Sequence, residues 1–240
     1  MARRHVQSTY FQLSRSPHYS LAFAIPLLIA YEGFALFLNH SDHYGIRNSA
    51  DVFLKLFLAY MGIHGFFGVG AAMIVALILI RVLGGKPRLG SIHLSVLLWM
   101  LAESLVYSLV FGAMVGALTR LLLAQPLPLS RSAQILVSLG AGIYEEFVFR
   151  VLLLSILVFF LHRLLRLQQL TAYGVAAVLG AALFSTFHYI GPFADPLQFP
   201  SFLFRFIAGL ILTGLYFARG YGITAYTHSL YDLWIVFGVI

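Results

Sequence analysis

The chain has 240 residues, 61% of them hydrophobic and only 10% charged, whereas soluble globular proteins run near ~45–50% and ~25%. Mean hydropathy is +0.93, and so few charges cannot cover a water-facing surface. The formal charge of +7, from 15 Lys+Arg against 8 Asp+Glu, does not mark a nucleic-acid binder, because the cations sit in short loops between apolar runs in the positive-inside pattern.

Seven apolar segments reach the length of about 20 residues that a helix needs to cross a bilayer, at 19–38, 66–83, 93–118, 133–162, 171–190, 200–218 and 222–239. Arg3, Arg4 and Arg15 precede the first segment and Glu32 interrupts it. No A-x-A-like cleavage site follows, so it reads as a retained span and not as a signal peptide. After it, Asn48-Ser-Ala-Asp51 is a helix start, which predicts an amphipathic helix over 51–60 on the membrane surface. The fourth segment is too long for one upright span and is expected to tilt, kink or divide near 149–151, which would make eight. Pro87, Pro126, Pro128, Pro192, Pro196 and Pro200 fall in loops or at span edges, and only Pro26 lies inside a span. The expected fold is all-α, a polytopic transmembrane helical bundle with seven to eight spans. It forms a single integral membrane domain over 1–240, with lipids around it. Arg81, Lys86, Arg88, Arg163, Arg166 and Arg219 join the N-terminal arginines on one side, and Arg47, Lys55, Arg120 and Arg131 lie on the other. The excess places the N-terminus in the cytoplasm. A short chain without organelle signals points to a bacterial cytoplasmic membrane.

Ionisable side chains inside spans carry the functional information, since each costs about 2.5–3.5 kcal/mol at a helix centre. The densest group is Glu145-Glu146-Phe-Val-Phe-Arg150, which must face a protein interior or a wet cavity. Glu146 and Arg150 are i,i+4 neighbours that can pair, while Glu145 points about 100° away. One carboxylate is therefore neutralised and the other is left for chemistry. Phe184-Ser-Thr-Phe-His188 adds an imidazole near the end of the fifth span. His228-Ser-Leu-Tyr-Asp232 puts an imidazole and a carboxylate on one face of the last, where the carboxylate can orient the ring. Together these residues form a set suited to water activation: a carboxylate and an imidazole hold the water, and polarised donors stabilise the oxyanion. The chain has no cysteine, and Ser185 and Ser229, beside the two histidines, face other directions.

E-E-x-x-x-R, F-x-x-x-H and H-x-x-x-[DN], in this order on successive late spans, resemble the CAAX-protease and bacteriocin-processing (CPBP, Abi) family of intramembrane proteases. That family includes the type II CAAX prenyl endopeptidases. The resemblance covers about 133–240, including the glycine-bearing Phe206-Ile-Ala-Gly209-Leu-Ile-Leu-Thr-Gly214 segment. It implies an endopeptidase acting on a membrane-associated protein or peptide. By motif position Glu145 is the base, His188 helps to hold the water, His228 and Asp232 polarise the scissile carbonyl or its oxyanion, and Glu146 and Arg150 support the site. No cofactor is expected. Zinc on Glu145, His188 and His228 is the alternative, but there is no H-E-x-x-H pair, and a ligating Glu145 would no longer be a base. Val151 stands where the family usually has glycine after the arginine.

Two rival readings exist. One is a non-catalytic membrane scaffold or bacteriocin-immunity-type protein that keeps the polar site for partner binding. The other is a transporter relaying protons through Glu32, Glu103, Glu145 and Glu146, against which the halves show no inverted repeat. Glu32 and Glu103 are expected to form structural pairs, with Arg205 a candidate partner, and Gly112-Ala-Met-Val-Gly116 is expected to pack closely within the bundle. Counting ~1.5 Å per residue from the outer span ends puts Glu145 and His228 roughly 18 Å deep but His188 only about 3 Å deep. The catalytic reading therefore requires either a fifth helix that continues past Tyr189 and kinks near Pro192, or different span boundaries.

Overall fold

The computed structural model describes residues 10–38, 45–62, 92–122, 129–191 and 194–240. The helices are α1 (Pro17–Leu38), α2 (Ser49–Tyr60), α3 (Leu94–Leu122), α4 (Arg131–Leu164), α5 (Gln169–Phe187), α6 (Phe199–Arg219) and α7 (Tyr221–Phe237). No strand occurs among the described residues. Five of these helices, α1, α3, α4, α5 and α6, are long and apolar enough to cross a membrane; the protein is an integral membrane protein. The second predicted span, 66–83, lies outside the described residues. α7 has 17 residues.

Large apolar side chains point outward along the bundle, among them Leu98, Trp99 and Val106 on α3, Ile156 and Phe159 on α4, and Val178 on α5. In water such a surface would be a liability, whereas lipid solvates it at no cost. The interior is organised around α7. One of its faces contributes Tyr221 and Ala225 to a cluster with Leu27, Leu28 and Tyr31 of α1 and Leu136, Ile143 and Tyr144 of α4. Another sets Tyr231 against Phe111 of α3 and Phe204, Ala208 and Leu212 of α6.

Without a hydrophobic drive between helices in lipid, close approach depends on small residues. The tightest such point is Gly142. A Cβ there would collide with the Ala225 carbonyl and the Ser229 hydroxyl and lie 2.9 Å from the Ser229 nitrogen, so α4 and α7 touch backbone to backbone. At Gly112 a Cβ would meet Ile240 and Tyr231, as close packing requires, but Gly116 faces open space. The predicted small-residue pair is thus half used.

α4 neither divides nor ends near 149–151. It accommodates 34 residues by winding i→i+5 over Ala141–Glu145, Phe147–Leu153 and Phe160–Leu164. Wider turns rise less per residue than the ~51 Å that 34 regular α-helical residues would need. They also bring consecutive side chains closer to one face, which matters for Glu145 and Glu146.

α2 starts where the sequence places it, with the Asn48 side chain accepting from the Ala50 N–H. Its amphipathicity is inverted. Asp51 and Leu54 are buried against the bundle, while Val52, Phe53, Leu56, Phe57 and Tyr60 are exposed. The polar side faces protein and the apolar side faces outward.

Candidate active site

Glu146 is completely buried, and its Oε1 serves two partners. It lies 3.1 Å from a terminal nitrogen of Arg150, the predicted i,i+4 pair, and accepts a hydrogen bond from Nδ1 of His228 at 2.7 Å. Asp232, expected to orient His228, stands 3.7 Å from its Nε2, too far for a hydrogen bond. The ring is therefore oriented from α4 and not from its own helix. The reason lies in the packing: at Gly142 the two helices are close enough for Glu146 to reach across.

Arg150 is held by more than its carboxylate. It donates to the Gly209 carbonyl at 3.4 Å, and its guanidinium carbon lies 4.4 Å from the centre of the Phe184 ring. Phe184 also packs edge-on against His188 and His228, at 5.0 and 6.4 Å between ring centres. A Cβ at Gly209 would come within 3.1 Å of Phe184, so the glycine of α6 makes room for this ring. Phe184 thus joins all three motifs through one aromatic surface.

Glu145 faces differently. One oxygen accepts from the side-chain amide of Asn48 at 2.8 Å. The other, Oε2, lies 3.9 Å from Nε2 of His188. His188 Nδ1 is 2.9 Å from the Phe184 carbonyl. A carbonyl can only accept, so Nδ1 carries the hydrogen, and Nε2 of the neutral ring is a bare acceptor turned toward Glu145.

Glu145 and His188 meet although span counting put them at different depths. α5 stops at Phe187, with His188 as its cap, and does not continue past Tyr189. Tyr189 accepts a hydrogen bond from Arg205 at 2.9 Å. Arg205 also reaches back one turn to the Ser201 hydroxyl at 2.6 Å, and Ser185 meets Phe202, so the end of α5 lies beside the start of α6. A loop joins the two helices. It is closed by an ion pair between Arg205 and Asp195, and the Asp195 N–H donates to the His188 carbonyl at 3.0 Å.

Ser185 donates to the Phe202 carbonyl at 2.7 Å and Ser229 to the Leu139 carbonyl at 3.2 Å, so both serines are committed to backbone. Among the described residues, no group of three His, Asp or Glu side chains is close enough together to hold a metal ion.

Glu32 and Glu103 are structurally paired, though not with Arg205. Glu32 takes Arg47 at 3.3 Å and the Tyr144 hydroxyl at 2.6 Å. Glu103 takes Arg219 and the Tyr10 hydroxyl. Near the site, burial pulls the Lys55 ammonium below its usual pKa against the opposing pull of Asp51.

Asn48 is the site residue that sequence reasoning missed. It was legible as a helix cap, and nothing in its spacing points to a carboxylate 97 positions away.

A family model described as type II CAAX prenyl endopeptidase, Rce1-like, matches residues 128–234. This segment belongs to that protease family. No curated protein and no solved structure matches the chain. The CAAX-endopeptidase segment contains Glu145, Glu146, Phe184, Arg150, His188, His228 and Asp232, but not Asn48, Glu32 or Arg47. The matched segment is similar to a family of membrane proteases, and part of the wall around its motif residues comes from outside that segment.

Proposed function

We propose that the protein is an intramembrane endopeptidase that hydrolyses a peptide bond of a membrane-associated protein or peptide with a water activated by Glu145 and His188. The observation that carries this reading is the facing of Glu145 Oε2 and His188 Nε2 at 3.9 Å. They are too far apart to bond each other, yet near enough to accept the two hydrogens of one water between them. A water held in that way directs a lone pair outward. Its oxygen attacks the scissile carbonyl carbon while Glu145 takes one proton, and the carbonyl pair moves onto oxygen. His228, doubly protonated and paired with Glu146, offers its Nε2–H to that oxyanion, together with Asp232 in its protonated form. Collapse of the intermediate breaks the C–N bond, and Glu145 passes its proton to the leaving nitrogen. Arg150 keeps Glu146 in place. No step uses a metal. In this reading the N-terminus lies in the cytoplasm.

The test uses purified protein in lipid vesicles and an internally quenched farnesylated CAAX peptide, with its unprenylated twin beside it. Glu145→Gln is expected to lower turnover by about 10³-fold or more, with the melting temperature within a few degrees of the parent. Undiminished hydrolysis by that variant would sink the mechanism in favour of the scaffold reading.

A further inference from the structure

Asn48 belongs to the N-terminal part of the chain, where no motif occurs, and it is buried to 2% exposure. Three contacts fix it. Its side-chain oxygen accepts from the Ala50 N–H at 2.9 Å and so caps α2. Its backbone N–H donates to the Tyr31 hydroxyl at 3.1 Å. Its side-chain nitrogen donates to Glu145 Oε1 at 2.8 Å. An amide has one accepting and one donating end. With the oxygen committed to the cap, the donor end is turned to Glu145, and a flip would break both bonds at once.

The surroundings hold this arrangement. The Tyr31 hydroxyl donates to Asp51 at 2.9 Å, and Asp51 is paired with Arg47 at 2.6 Å and with Lys55 at 2.9 Å, so the first turn of α2 is clamped to α1. On the other side, a Cβ at Gly140 would fall 2.6 Å from the Asn48 Cβ and 2.6 Å from the Tyr31 ring. Gly140 lies five residues before Glu145, one wide turn away on the same face of α4. The glycine clears the space into which Asn48 reaches.

Resting on the proposed function, we infer that Asn48 is a positioning residue: by donating to one oxygen of Glu145 it fixes the plane of the carboxylate and leaves the other oxygen aimed at His188. The groups facing Glu145 are His188 at the end of α5, His228 and Asp232 from α7, Glu146 and Arg150 from its own helix, and Asn48. Of these, Asn48 is the hydrogen-bond donor in direct contact with it.

Asn48→Asp separates this role from the cap. Aspartate caps a helix as well as asparagine does, so α2 keeps its start, but the donor becomes a second carboxylate facing the first. With the same farnesylated peptide, kcat is expected to fall about tenfold or more while KM stays within about twofold. The acidic limb of the pH profile is expected to move up by about one unit, because a like charge replaces a donor. A second readout does not depend on turnover: the infrared carboxyl band of Glu145, isolated as the difference between each protein and its Glu145→Gln derivative. Its titration midpoint is expected to rise by about one unit in Asn48→Asp. A wild-type midpoint together with a wild-type kcat in Asn48→Asp would overturn the inference. The two claims fail separately. If Glu145→Gln hydrolyses as fast as its parent, the proposed function falls, and the infrared midpoint still decides whether Asn48 governs Glu145.

Discussion

Two carboxylates, the partly exposed Glu103 and the buried Glu145, lie toward opposite ends of α6 and are treated differently. Glu103 is saturated. Arg219 reaches both of its oxygens, at 2.5 and 2.7 Å, and Tyr10 donates to one of them, while the Arg219 guanidinium also donates to Ser14. Glu145 is incomplete. One oxygen has a neutral amide, and the other faces a histidine nitrogen that has no hydrogen to give. A carboxylate whose acceptor sites are filled by fixed donors fastens helices together. One left with a lone pair facing another bare acceptor can take a proton from whatever enters between them. Both glutamates lie in apolar helices, and their partners distinguish them.

The largest effect that would sharpen the contrast comes from exchanging the same substitution between neighbours. Glu146→Gln should cost about 3–5 kcal/mol of stability, because Arg150 is left buried without a counter-charge, and turnover should fall with it. Glu145→Gln should lose turnover alone. Thermal unfolding followed beside hydrolysis separates the pair, and equal melting temperatures would show that Glu146 is not the structural member. At the other end, Glu103→Ala is expected to destabilise by a similar ~3–5 kcal/mol, yet the folded fraction should retain parental kcat, which active-site titration can normalise. A kcat loss larger than the folded fraction explains would join the two ends into one functional unit.

Gly142→Ala comes next. Its methyl would press on the Ala225 carbonyl and the Ser229 hydroxyl and should cost about 1–3 kcal/mol. Lengthening the reach from Glu146 to His228 should also reduce kcat more than KM. Asp195→Ala is the mildest. The Asp195–Arg205 pair is partly exposed, so stability should change by about 1 kcal/mol or less. The loop that carries His188 is then held by the Asp195 N–H and by the Arg205–Tyr189 bond, and a drop in kcat of a few-fold is the expected reading in the peptide assay.

The helical class, the 17–38 and 131–164 helices and the start of α2 were legible because apolar runs and caps are local signals. The Glu146–Arg150 pair was legible for the same reason, since four residues along a helix fix an angle. Orientation across helices was not. That Glu146 and not Asp232 turns His228 follows from the close approach at Gly142, a glycine unmarked by any pattern, whereas the marked Gly116 meets no close neighbour among the described residues. Arg205 was matched to the wrong carboxylates because loop closure to Asp195 depends on where α5 stops. Hydropathy overstates that end, since Tyr189 and Ile190 continue the apolar run as loop. Asn48 was hidden by having a sufficient local explanation: once a residue caps a helix, nothing in the sequence advertises its second hydrogen-bonding end.

The inverted face of α2 bears on how the protein must be handled. Asn48 sits at the root of a helix whose exposed side is Val52, Phe53, Leu56, Phe57 and Tyr60, an apolar stripe that hydrocarbon can support. Extraction chemistry thereby becomes a variable of catalysis. An amphiphile that covers this stripe as a bilayer does preserves the seating of α2, and one that leaves it wet slackens the arm that sets Glu145 while every catalytic side chain remains intact.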